Sequence, residues 1–93
     1  LGDGWALAYL LEDSGCLEVR RGRHVRALRL TGAAAAIRQA IGAPLSPREA
    51  DKLQAELAPA REELGEAGES GATSEGLTMS LEQAIEYALR DHE

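Results

Sequence analysis

The stretch HVRALRLTGAAAAIRQAIG, residues 24–42, decides how the rest of the chain is read. Ala27, Leu30, Ala34, Ile37 and Ile41 recur at alternating steps of three and four residues, the spacing of one helix face. Gly32, Ala35 and Ala36 form a second face of small residues. That face predicts a close approach by a neighbouring helix, with Gly32 and Ala35 at the crossing. Gly42 follows as a C-terminal stop.

The same grammar extends in both directions. Upstream, a helix is predicted from about Asp3, as N-cap, to Arg21, with Gly22 as its stop. It carries two apolar stripes, one of Leu7, Leu10 and Leu17 and one of Ala8, Leu11, Gly15 and Val19, so it belongs between neighbours. The short Gly-marked turn makes the first two helices an antiparallel hairpin. Downstream, Ser46-Pro47-Arg48-Glu49 is a capping box with proline at the first helical position. Ala50, Leu53, Leu57, Ala60 and Leu64 continue the stripe, and Gly65 ends it. Pro59 predicts a kink or break near Ala58. Residues 66–76, EAGESGATSEG, are acidic and glycine-rich and read as loop or frayed helix, within a flexible connector over 66–79. Ser80 and Gln83 form a second capping box, with Met79 placed to staple onto Ala84. The last helix shows Leu81, Ala84, Ile85, Ala88 and Leu89 as its buried stripe and ends near Asp91.

Composition agrees with an all-α fold. Of 93 residues, none is Phe, one is Trp and two are Tyr, and Ala and Leu dominate the apolar part. The chain divides into a terminal helix pair, 1–45, and capping helices, 46–93. The first part carries a net charge of +2 and the second -8, giving -6 for the whole. Because it begins with Leu1, the chain reads as a fragment of a longer protein.

Several function classes find no residues here. The single cysteine, Cys16, excludes an internal disulfide framework and fits a reducing, cytoplasmic setting. No run of apolar residues is long enough to span a membrane, and no signal-peptide pattern stands at the N-terminus. His24 and His92 form no metal-ligand pair with a neighbouring Cys, Asp or His. Cys16 with a distant histidine is conceivable as nucleophile and base, but a small packed hydrophobe is the simpler reading. The basic run Arg20, Arg21, Arg23, Arg26 and Arg29 allows a phosphate or nucleic-acid contact through Arg20, Arg21 and Arg23. It has no interleaved aromatics, and the rest of the chain is acidic, so a solvated turn paired with neighbouring acids is the alternative. GEAGESG lacks the Lys-Ser or Lys-Thr of a phosphate loop. Glu62, Glu63, Glu66 and Glu69 lack the Asp and Asn alternation of a calcium loop. Trp5 and Tyr9, one turn apart, read as a packed pair.

Taken in order, several blocks resemble one bacterial family. They are Gly22; Arg26, Ala27, Leu30, Gly32, Ala33 and Ala34; Ala40 to Leu45; Ala60, Arg61, Leu64 and Gly65; Glu75 and Gly76; and Ala84, Ala88 and Leu89. Together they resemble the C-terminal end of the tetratricopeptide-like repeat region of LuxR-type ATPase transcriptional regulators, and of related cyclase or kinase regulators. Gly15, Ala27 and Ala34 also fall where tetratricopeptide pairs place small residues. Glu69 and Thr73 depart from the bulky residues usual in the family, and Pro59 is unusual inside the third helix.

The resemblance implies the end of a tetratricopeptide-like superhelix acting as a non-enzymatic sensor and protein-interaction module, without a cofactor. Its partners would be upstream repeats or another protein, or a second copy, rather than nucleic acid or membrane. The surface expected to be left uncovered is that around Trp5, Ala8 and Leu11. The alternatives are a small stand-alone helical oligomer and the regulatory repeat of a multidomain cyclase or kinase.

Overall fold

A computed structural model of the chain describes the backbone of residues 2–90 and the side chains of residues 4–90. Among these residues there are four helices and no strand: α1 (Gly2–Arg20), α2 (His24–Ile41), α3 (Pro47–Leu77) and α4 (Leu81–Leu89). The fold is all-α. The Asp3 side chain, expected as an N-cap, lies outside the described residues, although α1 already includes Gly2; α4 ends at Leu89, with Arg90 extended at φ -77° and ψ 131°, short of the end expected near Asp91.

The first two helices form the expected antiparallel hairpin. Gly22 takes a positive φ of 79°, and the Arg23 N–H donates to the Glu18 carbonyl at 2.9 Å, so the chain reverses within three residues. Gly15 then lies against Ala27 and Thr31, and Gly4 against Ile37 and Ile41, early residues of α1 meeting late residues of α2. Gly42, with φ 69°, closes α2 as predicted.

α2 is enclosed on three sides, and its periodicity sorts the neighbours. Ala27, Thr31 and Ala34 face α1. Leu28 shares a core with Leu57, Ala60 and Ala72 of α3. Leu30, Ala33 and Ile37 share another with Ala8 and Leu11 of α1 and Ala84 and Tyr87 of α4. Leu28 stands about half a turn from Leu30 and Ala33, so α3 and α4 cover opposite sides of the hairpin.

α3 starts at its predicted capping box, with Glu49 N–H donating to Ser46 Oγ and Ser46 N–H to the Glu49 carboxylate. Two expectations for this helix are corrected. The backbone does not leave helical geometry at Pro59 or Ala58; it does so at Gly65, at φ 75° and ψ 173°. Pro59 and Ala55 are both exposed, so the carbonyl that loses its hydrogen bond is on the wet side of the helix. Residues 66–77 are also helical, not a flexible connector. Their own propensity is poor, and docking supplies the difference: Ala72 and Gly76 are buried against α2, and Glu75 pairs with Arg29 at 2.7 Å.

That docking is a contact between backbones. A Cβ built on Gly32 would sit 2.6 Å from the Thr73 carbonyl oxygen and 3.2 Å from Gly76 Cα. One built on Gly76 would run into the Arg29 carbonyl and lie 2.9 Å from Ala33 N. Gly32 is thus at the crossing as expected. Its counterpart is Gly76, whereas Ala35 is exposed. Close contact matters here because, among the described residues, the largest apolar side chains buried to below 2% are just Leu11, Leu28, Leu30 and Leu57. Each is worth about 1.5–3 kcal/mol.

Gly76→Ala is expected to destabilise the chain by about 1–3 kcal/mol, because only backbone could move aside. Gly71, helical with open space around its Cβ position, is the matched control. Gly71→Ala should stabilise by about 0.4–1 kcal/mol. Thermal melts of the two variants check the opposite signs.

Candidate interaction surface

The basic run around the first turn is engaged with acids of this chain. Glu18, buried at the end of α1, holds Arg21 at 3.2 Å, Arg23 at 3.3 Å and Arg26 at 2.8 Å. Arg20 reaches Glu56 of α3 at 3.3 Å and Arg29 reaches Glu75 at 2.7 Å. The Arg26 Nε–H points off the Glu18 oxygen, so that contact is ionic rather than an aligned hydrogen bond. Its two terminal nitrogens donate to the carbonyls of Tyr87 and Ala88, at 3.2 and 3.1 Å, satisfying the C-terminal end of α4. Its guanidinium also stacks 5.0 Å from the Tyr87 ring centre. Arg29 donates to the Tyr87 hydroxyl, and its pKa is raised by that bond first and by Glu75 second. The arginines expected as a phosphate contact, Arg20, Arg21 and Arg23, are thus each paired with an acid of this chain while their side chains stay partly or largely in solvent.

A second polar chain runs along the α3 side. Arg38, almost wholly buried, holds Glu12 in a two-pronged pair at 2.7 and 3.0 Å and donates to the Ala43 carbonyl at 2.9 Å. The bond to Glu12 is the main reason its pKa is raised. Its guanidinium lies 4.6 Å from the centre of the Tyr9 ring, which meets Trp5 edge-on at 4.9 Å. The Tyr9 hydroxyl donates to Glu49 at 2.8 Å, joining α1 to the capping box of α3. The stripes did not reveal Glu12 and Arg38 as buried partners. The available signal was a lone charge within reach of an apolar face on each of two adjacent helices, with opposite signs.

Three residues were expected to form the uncovered surface, and two of them are core. Ala8 and Leu11 are 0% exposed, because their stripe turns toward α2 and α4 completes the enclosure. Trp5 is 51% exposed. Uncovered apolar surface includes the other stripe of α1, where Leu10 is 60% exposed and Leu17 also reaches solvent. α4 keeps only the small residues of its predicted stripe inward, Ala84 buried and Ala88 packed against the core. Ala84 and Tyr87 point inward, while Leu81, Ile85 and Leu89 are exposed, Leu89 at 80%. Tyr87 sits over Arg29 at the far edge of α2, which turns Leu81, Ile85 and Leu89 toward the flank over α1. Leu7 of α1 packs beneath, at the margin of the same core. One side of the hairpin therefore presents apolar residues from both α1 and α4.

Cys16 is half-buried, and its thiol pKa is pushed up by burial first and by Glu56 second, opposing a reactive thiolate. His24 starts α2, and His92 lies outside the described residues. Among the described residues no three His, Cys, Asp or Glu side chains gather into a metal-sized group, and no helix is long and apolar enough to cross a membrane. Comparison with protein-family models, curated proteins and solved structures finds no match to this chain.

The Tyr9–Glu49 bond sets a pH dependence at both extremes. The bond from Tyr9 is the first cause holding the Glu49 carboxyl below its ordinary pKa, with Ser46 adding to it. Its stabilisation is present above roughly pH 4.3 and is lost as the pH falls through the lowered value. The same bond raises the Tyr9 phenol, whose contribution is present below about pH 10 and lost as the pH climbs through the raised value. Tyr9→Phe should make both limbs of a melting-temperature profile shallower than in the wild type.

Proposed function

We propose that the chain is a non-enzymatic helical-repeat interaction and sensor module, the terminal tetratricopeptide-like part of a cytoplasmic bacterial transcriptional regulator of the LuxR-type ATPase kind. The observation that carries this reading is the apolar flank of Leu10, Leu17, Leu81, Ile85 and Leu89, which leaves large aliphatic side chains in water on one side of a helical hairpin. Such a flank suits an adjoining helical pair, from the same protein or another, because stacked repeats bury the faces that single repeats leave open. Two further features support it. Gly15 lets α1 and α2 approach closely at Ala27, as tetratricopeptide pairs require. The arginines of the first turn spend their charge on Glu18, Glu56 and Glu75, which speaks against a phosphate-binding role.

A second reading, a stand-alone helical unit, is favoured by one observation. α4 folds back over Leu30, Ala33 and Ile37 and so gives the hairpin a lid of its own. In that reading the apolar flank takes a second copy.

Light scattering over a concentration series tests the flank. Self-association is expected, and Leu10→Glu or Ile85→Glu, both exposed, should shift the chain to monomer without loss of helicity. A chain that stays monomeric while binding duplex DNA with steeply salt-dependent affinity would overturn the interaction reading.

A further inference from the structure

On the opposite side of α2 from that flank, α2 and the two arms of α3 surround a hollow of about 490 Å³. Its origin is the break at Gly65. The second arm is pinned to α2 at Gly32 and Gly76, while the first arm, 47–64, meets α2 through Leu57 and Ala60, which share a core with Ala27 and Leu28. From α2, Thr31, Gly32, Ala35, Arg38 and Gln39 line it, and Gly32 and Ala35 have no side chain large enough to fill it. Leu45, Leu53 and Leu57 form much of the remaining wall, and Gln39 lies exposed at the edge. The volume falls in the range of roughly 300–1,000 Å³ common to small-molecule sites, which are likewise apolar with a few placed polar groups.

The charges around the hollow select a ligand class. Three charged side chains line it: Glu12, Arg38 and Arg61. Glu12 and Arg38 neutralise each other through two hydrogen bonds at 2.7 and 3.0 Å. Arg61 is held differently. Among the described residues it pairs with Glu69 at 3.7 Å, beyond the roughly 2.7–3.2 Å of a hydrogen bond, and both side chains are 30% exposed. A guanidinium at the end of an apolar hollow, loosely paired to a single acid, matches one carboxylate through its planar fork. Ligands with two or more negative charges would meet Glu69 and a chain of net charge -6.

We propose that this hollow binds a small amphiphilic monocarboxylate, its apolar part against Leu45, Leu53 and Leu57 and its carboxylate on Arg61 in exchange for Glu69. The site goes beyond the protein-interaction reading and uses none of the residues of the α1–α4 flank.

Isothermal titration of the chain with decanoate tests it, with decanol and decyltrimethylammonium as neutral and cationic controls of matched chain length. Saturable one-to-one binding of decanoate, tighter than either control, is expected. Arg61→Gln should weaken decanoate about tenfold, the scale of one charge-assisted interaction, and leave decanol unchanged. Glu69→Gln, which removes the competing acid, should tighten decanoate. Ala35→Phe should fill the hollow and abolish binding. If that variant loses helicity, Gln39→Phe on the same wall replaces it. Leu10→Glu, which tests the flank, should leave decanoate binding unchanged. The proposal is overturned by absence of saturable binding, by equal affinity of Arg61→Gln and wild type for decanoate, by a folded filled variant that still binds, or by loss of binding in Leu10→Glu.

Discussion

At Gly32 and Gly76 two helices touch through their backbones, and the other packing arrangements depend on that contact. Over residues 32–36, Gly-Ala-Ala-Ala-Ala, α2 has no large side chain with which to hold neighbours at a distance, so it must be approached closely there or not enclosed at all. The contact pins the second arm of α3 along the outer edge of α2. From there the chain passes through Thr78 and Met79 to the far side of the hairpin, where α4 docks. With a side chain at either glycine, α3 would be lifted away, and α4 would lose the anchor that brings it back over Leu30 and Ile37. The break at Gly65 is the complementary requirement, since an unbroken α3 could not lie along the hairpin with its first arm and cross α2 with its second.

Buried ion pairs connect what this small core only partly holds. Glu18 and Arg26 tie the end of α1 to the end of α4, and Glu12 and Arg38 tie the middle of α1 to the end of α2 and the loop at Ala43. Removing one member of such a pair leaves an unpaired buried charge and typically costs about 3–5 kcal/mol, whereas exposed pairs such as Arg20–Glu56 contribute about 0–1. The basic first part and acidic second part meet at Arg20–Glu56 and Arg29–Glu75, while the acidic part keeps most of its carboxylates outside such pairs and the chain its net charge of -6.

Local signals in the sequence located most of the architecture. Both capping boxes, the stops at Gly22 and Gly42, the hairpin and the stripe of α3 follow from spacing alone, because each is fixed by neighbours a few residues away. What failed depended on contacts far along the chain. Residues 66–77 look like a loop until Gly76 finds Gly32, and no local propensity encodes that. The outward turn of Leu81, Ile85 and Leu89 follows from the hold of Arg26 and Arg29 on Tyr87, which leaves Ala84 and Ala88 as the members of the expected stripe that meet the core. Likewise α1 has two stripes, and only the position of α4 decides that Ala8 and Leu11 are covered while Leu10 and Leu17 are not. The hollow beside Arg61 could not be read at all, since it is space left between elements rather than a run of residues.

The most direct measurement is the proton NMR cross-relaxation spectrum of the intact chain in the Gly32 and Gly76 Hα region. Direct backbone contact predicts a strong Hα–Hα cross-peak between these two glycines, together with helical carbon shifts through residues 66–77. Absence of the cross-peak, with random-coil shifts over 66–77, would contradict the account and return that segment to the loop its composition suggests.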